Sequence, residues 1–402
     1  MHVIVLGAGV VGTTTAYYLS QLSCQVTVFD RASNVGIGAS YANAGQLSYN
    51  FTDALAKPEL LVRIPRFLLG QDPAARVHLA PGLIGWGLRF MGQCTTKCAE
   101  RNTVAVLKVA LRSADLMTEL RKRVPFDFSH RIAGKLVLLS NKAEIKSATA
   151  SSKLKNAYGG NTRILSRAEA TAIEPALEQM AGDFLAAVYS ANDEVADSLK
   201  FTSGLREWLE ADGLVTFRLS STAKEIVVKQ GRTQAVIVDD DMVEADAVVV
   251  CLGAWSNRLL STVGINPRIY PVRGYSVTLP SGEASPSVSV TALKHRIVFS
   301  RVNELVRIAG FADFAGFDTS ADAERTHSLL ELARQVAPSA ANYDAVNAHE
   351  WGGFRPMTPN GQPQVGATSV RGLFVNTGHG MLGWTLACAT GHDIAQAIAQ
   401  TH

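Results

Sequence analysis

The 402-residue sequence is poor in charge: Asp, Glu, Lys and Arg make up 18%, against 47% hydrophobic residues. That balance excludes a disordered chain, which stays unfolded through high charge and scarce apolar side chains. Thirty-eight basic residues against 35 acidic ones leave a formal net charge of +3, spread along the chain. It offers no clustered basic face of the kind a nucleic acid needs. There are only five cysteines, Cys24, Cys94, Cys98, Cys251 and Cys388, an odd number scattered over the length. They argue against a disulfide scaffold and for a reducing compartment. Cys94 and Cys98 would share one helix face, but no second Cys/His pair at ligand spacing joins them. They read as small apolar side chains, and no metal is expected. No run of about 18 apolar residues is present to span a bilayer, and the opening Met1–Gly7 lacks the basic region and cleavage site of a signal peptide. A cytoplasmic protein is the expectation. The length suits two packed domains of roughly 100–200 residues each.

One stretch qualifies that picture. Residues 60–91 mix Leu60, Ile64, Phe67, Leu83, Trp86 and Phe90 with Arg63, Arg66, Arg76 and Arg89. Such a segment could lie on a membrane surface, here the cytoplasmic face of the inner membrane. Packing as helices within a domain is the preferred reading.

What the sequence does have begins at its first residues. Residues 2–6 form a short apolar run ended by Gly7, Val10–Leu22 carries helical spacing, and Val26–Phe29 is a second apolar run ended by Asp30. Strand, glycine turn, helix and strand make a βαβ unit, which opens a doubly wound parallel sheet. Ala247–Leu252 and Leu373–Asn376 return to the same style, the latter followed by an apolar helix to about Ala399. Between them, Asn102–Arg123 reads as a long helix. The runs Lys135–Leu139, Glu225–Lys229, Ala235–Val238, Arg268–Leu279, Arg296–Arg301 and Leu305–Ala309 read as a largely antiparallel sheet.

Gly7-Ala8-Gly9-Val10-Val11-Gly12 is G-x-G-x-x-G in the context that gives the pattern meaning, after a strand and opening a helix. Gly7 permits the tight turn, Gly9 admits a pyrophosphate to the backbone, and Gly12 lets helix and strand pack closely. The helix N-terminus presents free N–H groups to the phosphates. Asp30 is placed to accept from ribose hydroxyls, and its charge disfavours a 2′-phosphate despite the adjacent Arg31. The small polar stretch Gly38-Ala39-Ser40-Tyr41-Ala42-Asn43-Ala44-Gly45-Gln46 can lie along an extended cofactor and bond a flat ring through its backbone. An NAD-linked dehydrogenase has no evident need of it there.

These motifs, with Pro271-Val272-Arg273-Gly274-Tyr275, Arg355-Pro356-Met357-Thr358-Pro359 and Asn376-Thr377-Gly378-His379-Gly380, resemble in order and spacing the FAD-dependent D-amino-acid dehydrogenases of bacteria. Those belong to the wider group of glutathione-reductase-type flavoproteins that includes D-amino acid oxidase, glycine oxidase and sarcosine oxidase. The resemblance implies an α/β plus α+β fold, a Rossmann-type FAD domain (1–50, 185–265 and 352–402) interleaved with an antiparallel-sheet substrate domain (51–184 and 266–351). It implies that Ala39, Ser40, Asn43, Ala44, Gly45 and Gln46 line the isoalloxazine and ribityl chain. Val195 would hold the adenine through its backbone, and Gly253 and Ala254 would contact the dinucleotide. Gly352-Gly353-Phe354 offers no cysteine upstream of the Thr-Pro element, so the FAD is expected to be non-covalent.

Oxidising an amine at its α-carbon needs a substrate held with its C–H bond aimed at the flavin, the cofactor supplying the redox chemistry. Arg355 is the first candidate for the carboxylate anchor, because a guanidinium pairs a carboxylate through two hydrogen bonds. An arginine satisfied by nearby carbonyls is its bland alternative. Tyr275 could donate to the same carboxylate or cover the pocket, Arg273 reads as a supporting charge, and Tyr49 and Phe51 are candidate pocket walls. Gly378-His379-Gly380-Met381-Leu382-Gly383 precedes a helix, and free N–H groups from Gly380 to Gly383 would face the flavin pyrimidine. His379 reads more readily as a turn residue than as a base. The expected reaction converts a D-amino acid to a 2-oxo acid and ammonia, with a quinone or other electron acceptor. Oxidation of a secondary amine such as proline or sarcosine, or a non-catalytic FAD-binding subunit, are the alternatives.

Overall fold

A computed structural model of the chain describes residues 1–180 and 184–401. The opening strand, His2–Leu6, is the middle of a six-stranded sheet. On one side it pairs in parallel with Gln25–Phe29 and then Val215–Arg218; on the other, with Ala247–Val250 and then Leu373–Thr377. Gln364–Ala367 closes the edge antiparallel. Continuous apolar runs form these strands because both faces are covered. Val3 and Val5 pack with the helices Val10–Ser20, Ser198–Asp212 and Gly383–Ala399, whereas Ile4 and Leu6 pack with Ile226, Val236 and Val238. Those last residues belong to a small antiparallel sheet of Ala223–Lys229, Arg232–Val238 and Asp241–Glu244.

The second sheet is larger and mixed, running from His349–Met357 through Tyr270–Pro280, Leu305–Phe314, Ile297–Val302, Ser289–Ala292 and Lys135–Leu139 to Ala186–Ser190 and Arg163–Ser166. One face carries Tyr275, Val277, Phe299, Ile308, Val290 and Leu136, packed with the helix Asp322–Val336. Alternation along a strand then turns the intervening, smaller and more polar residues toward the first sheet. One cross-strand row on that face joins Thr278, Arg307, Ser300, Ser289, Lys135 and Ser190. The next row is Ser276, Ala309, Val298, Thr291, Val137 and Val188.

The architecture agrees with the expected fold class, while the segment boundaries differ. Ala186–Ser190 and His349–Met357 pair in the second sheet, whereas the sequence expectation places 185–265 and 352–402 in the first domain. Glu225–Lys229 and Ala235–Val238 cover the parallel sheet instead of joining the large one. The long helix spans Thr96–Arg123, and its stripe of Val106, Ala110, Met117 and Leu120 joins the core of the first sheet although it falls within 51–184. An apolar stripe shows that a helix is buried; it does not say against which of two cores. Cys94 and Cys98 do not share a helix, because Cys94 ends Pro81–Gln93 and Thr95 caps the next helix by accepting from the Cys98 N–H.

Candidate active site

Between the sheets lies a continuous cavity of ≈ 1860 Å³, reaching from Gly7 and Asp30 at one end to Arg355, Trp86 and Leu88 at the other. At the first end the glycines separate by cause. A Cβ on Gly7, whose φ is +107°, would stand 2.7 Å from the Cys251 carbonyl oxygen, and one on Gly12 would collide with the Gly7 carbonyl. The fold itself demands both. Gly9 is different: its φ of −74° suits any residue, and an added Cβ would meet only Ser40 Oγ, at 3.5 Å. Nothing in the chain requires a glycine there, so the space it keeps is space for a ligand.

Asp30 accepts from the Ala8 N–H at 2.7 Å and the Ala32 N–H at 2.8 Å, which ties the glycine turn to the end of its strand. A carboxylate has acceptor capacity beyond two bonds, and Asp30 still lines the cavity. Ser40 Oγ accepts from the Val10 N–H at 3.0 Å, at the helix N-terminus. Arg31 lies 4.0 Å over the Trp255 ring. Asn376 Oδ1 and Trp384 Nε1 are buried, line the cavity and have no protein partner. This combination of a glycine-bounded helix terminus, a ribose-ready carboxylate and orphaned polar atoms fits an extended dinucleotide.

Most of the expected contact residues meet here. Gly7, Gly9, Val10, Val11, Ala39 and Asn43 line the cavity, as do Ala44, Gln46, Phe51, Gly253 and Ala254, and Gly380 through Gly383 with Met381 and Leu382 between. Gly12, Gly45 and Gly378 stand behind it as backbone turns or packing points. Two expectations fail. Val195 sits in Glu194–Val195, paired with Gln46 on one side and Arg131 on the other, so its backbone is spent within a small sheet. The segment Ser221–Lys224, joined to Asp30 by a 2.9 Å bond from the Ser221 N–H, lines the cavity instead. Tyr49 is buried outside the cavity wall, donating to Glu194 at 3.0 Å. Its apolar ring suggested a pocket wall, while the distant Glu194 that captures the hydroxyl was invisible in sequence.

At the other end Arg355 folds over Gly274, where any Cβ would collide with its guanidinium, and donates to the carbonyls of Phe311 at 2.6 Å and Gly310 at 3.4 Å. Those carbonyls orient the group without neutralising it. Among the described residues no carboxylate pairs with Arg355, and burial pulls its guanidinium down to about 10. Asp313, the acid whose charge acts on it, is occupied by Arg325 at 2.8 Å and the Tyr275 hydroxyl at 2.9 Å. Tyr275 turns its ring to the face packed with Asp322–Val336 and gives its one O–H to Asp313, so it offers the cavity no free donor. Arg273 pairs with Asp322 and lies 4.3 Å over Phe354, a structural charge.

His379 is 4% exposed, and burial drives it down to about 3. It is neutral at ordinary pH and bonds Thr390 Oγ1 at 3.1 Å through Nε2. Gly380, expected to offer its N–H to a flavin, donates it to Pro356 at 3.0 Å. The N–H groups of Gly383, Trp384 and Thr385, first in Gly383–Ala399, have no partner within the helix and remain as donors.

Two features escaped the sequence reading. Lys135 lines the cavity wall, buried and bonded to Gln46, and the helix Pro81–Gln93 roofs the Arg355 end, pinned by a 2.9 Å bond from Trp86 Nε1 to the Met357 carbonyl. A lone lysine in a strand and an aromatic in a helix carry no spacing signal that marks either role.

A parallel sheet with a glycine-bounded helix terminus facing a second sheet across one cavity is the architecture of a dinucleotide-dependent oxidoreductase site. Residues 2–397 match the family of FAD dependent oxidoreductases described as DAO. The chain belongs to that family, and its cofactor is FAD. It is 38% identical to D-amino acid dehydrogenase 2 of Ralstonia nicotianae over 411 residues, covering 100% of this chain and 97% of that one. It is 35% identical to the D-amino acid dehydrogenase of Paramagnetospirillum magneticum, covering 99% and 95%. Among solved structures, glycine oxidase from Geobacillus kaustophilus shares the fold with a TM-score of 0.77 at 22% identity, covering 100% and 95%.

Proposed function

We propose that the protein oxidises D-amino acids to 2-oxo acids and ammonia and passes the electrons to a quinone or another acceptor at a membrane surface. The observation that carries the substrate assignment is Arg355: a partly buried cation facing the cavity with no acidic partner among the described residues. An uncompensated buried charge is costly, and a substrate carboxylate would supply the missing counter-ion in bidentate geometry. The names of the relatives support the amino-acid reading.

In this reading Arg355 orients the substrate, Phe51 limits its position, and the roof formed by Trp86 and Phe90 keeps water from the reacting carbon. FAD, held by the Gly7–Gly9 turn, Asp30 and the N-terminus of Gly383–Ala399, would supply the oxidant for two-electron oxidation of the amine to an imine, which water hydrolyses to the 2-oxo acid and ammonia. No side chain is needed as a base when the amine arrives unprotonated. His379 is unsuited to that task, since its Nε2 is turned to Thr390.

The acceptor side rests on a surface. Of the 21 exposed large hydrophobic residues among the described ones, eight lie between Leu61 and Met91, and five of these line the cavity. Residues 60–91 hold four arginines and one acid, Asp72, a net charge of +3. Apolar side chains interleaved with arginine suit the surface of an anionic bilayer, and no helix among the described residues is long and apolar enough to cross one.

The deciding experiment is anaerobic titration of the purified yellow protein with D- and L-amino acids, proline derivatives included. Bleaching by D-substrates is the expected result. Bleaching only by cyclic or N-alkylated amines would replace the substrate class, and a flavin reduced by none of them would overturn the assignment.

A further inference from the structure

Lys135 is 2% exposed, on the cavity-facing side of Lys135–Leu139. Its ammonium donates to Gln46 Oε1 at 2.6 Å and Ser48 Oγ at 3.1 Å, and lies 4.3 Å over the Phe51 ring. Those contacts use neutral oxygens and a ring face. Among the described residues no carboxylate lies within ion-pair distance: Asp193 is turned to Asn50, and Asp53 is taken by Lys155 and Lys57. Burial pulls the ammonium down to about 8, with Asp193 opposing and Lys155 reinforcing the shift, so it is still mostly protonated at neutral pH.

A buried cation held only by neutral groups is retained at a cost. The substrate carboxylate does not repay it. The Arg355 guanidinium rests on the carbonyls of Gly310 and Phe311, and three strand spacings, about 14 Å, separate that strand from the strand of Lys135. No single amino-acid carboxylate reaches both. What Lys135 does touch is the cofactor segment. By taking Gln46 Oε1 it turns the amide nitrogen toward Ser289 and Ser300, and the whole 46–48 stretch is locked to the second sheet.

We propose that Lys135 is a positioning residue of the flavin site, locking Gln46 and Ser48 against the second sheet and placing a fixed positive charge in the wall that bound FAD faces. This rests on the FAD and amine-oxidation reading above. Hydride transfer would place one negative charge on the flavin and leave the matching positive charge on the iminium product. A preorganised cation stabilises the negative charge at no cost of reorganisation.

The test is the flavin midpoint potential of the holoenzyme, measured by equilibration with reference dyes, in wild type, Lys135→Met and Lys135→Arg. Lys135→Met is expected to retain FAD while its equilibrium constant for two-electron reduction falls at least tenfold, about 30 mV. Lys135→Arg should return to within threefold of wild type. If Lys135→Met fails to fold, Lys135→Gln, which keeps a hydrogen bond to Gln46 and drops the charge, is measured in its place and read in the same way. A flavinated neutral variant with the wild-type potential overturns the assignment to Lys135 alone. A wild-type protein that holds no FAD overturns the reading beneath it as well.

Discussion

The two ends of the cavity are built in opposite ways. The nucleus of the Gly7–Asp30 end is 24 residues of continuous chain that supply backbone N–H groups, glycine space and one carboxylate, with Ser40 and Ser221–Lys224 added around it. The Arg355 end draws on strands and helices from Trp86 to Gly383, and its chemistry lies in side chains whose charges are balanced or left unbalanced by distant partners. A phosphate site can be local because backbone amides are everywhere and only their direction must be set. A site that selects one small molecule needs charges brought together without cancelling, which takes several separate segments.

Glycine substitutions should break this contrast most sharply. Gly9→Val is expected to abolish FAD retention while the apoprotein still folds, because its Cβ meets no backbone in the chain. Gly12→Val should instead prevent folding, since even a Cβ there collides with the Gly7 carbonyl. Flavin absorbance and thermal unfolding together separate the two, and a flavinated Gly9→Val would displace the pyrophosphate site.

At the far end, Arg355→Met should retain FAD and lose roughly 30- to 5000-fold in kcat/KM, the equivalent of about 2–5 kcal/mol for a desolvated charge pair. Unchanged kcat/KM would show that the guanidinium serves only the carbonyls of Gly310 and Phe311.

His379, in the cavity wall, makes stability depend on pH. Unfolded, it takes up a proton near pH 6.5; folded, it resists protonation down to about 3. The unfolded state therefore binds more protons in that window. The stability it contributes is complete above pH 6.5 and is lost as pH falls toward 3, by up to about 1.4 kcal/mol per pH unit. Asp193, raised to about 6 by burial despite Lys135, acts with the opposite sign. Urea unfolding of wild type and His379→Asn at pH 7 and pH 4.5 isolates the histidine; an equal loss in both proteins would refute its share.

On the exposed surface of residues 60–91, Val62→Asp with Leu69→Asp should weaken binding to anionic vesicles about tenfold, because both side chains are exposed and a charge there opposes insertion. Equal co-sedimentation of the variant would remove that surface from the bilayer. The smallest effect is expected from Tyr275→Phe, about 1 kcal/mol of stability for one hydrogen bond to Asp313. A large loss of turnover there would restore the hydroxyl as a substrate donor.

The sequence alone determined the βαβ opening, the cofactor end and the candidacy of Arg355. Each depends on neighbours a few residues away, where spacing and backbone geometry decide the outcome. Only the tertiary structure decided that Val195 and Tyr49 turn away from the cavity, that the Tyr275 hydroxyl is already given to Asp313, and that Lys135 holds Gln46 from 89 positions away. A hydrogen bond or a charge is defined by its partner. When that partner lies on another strand, the residue's role exists only once the strands are paired.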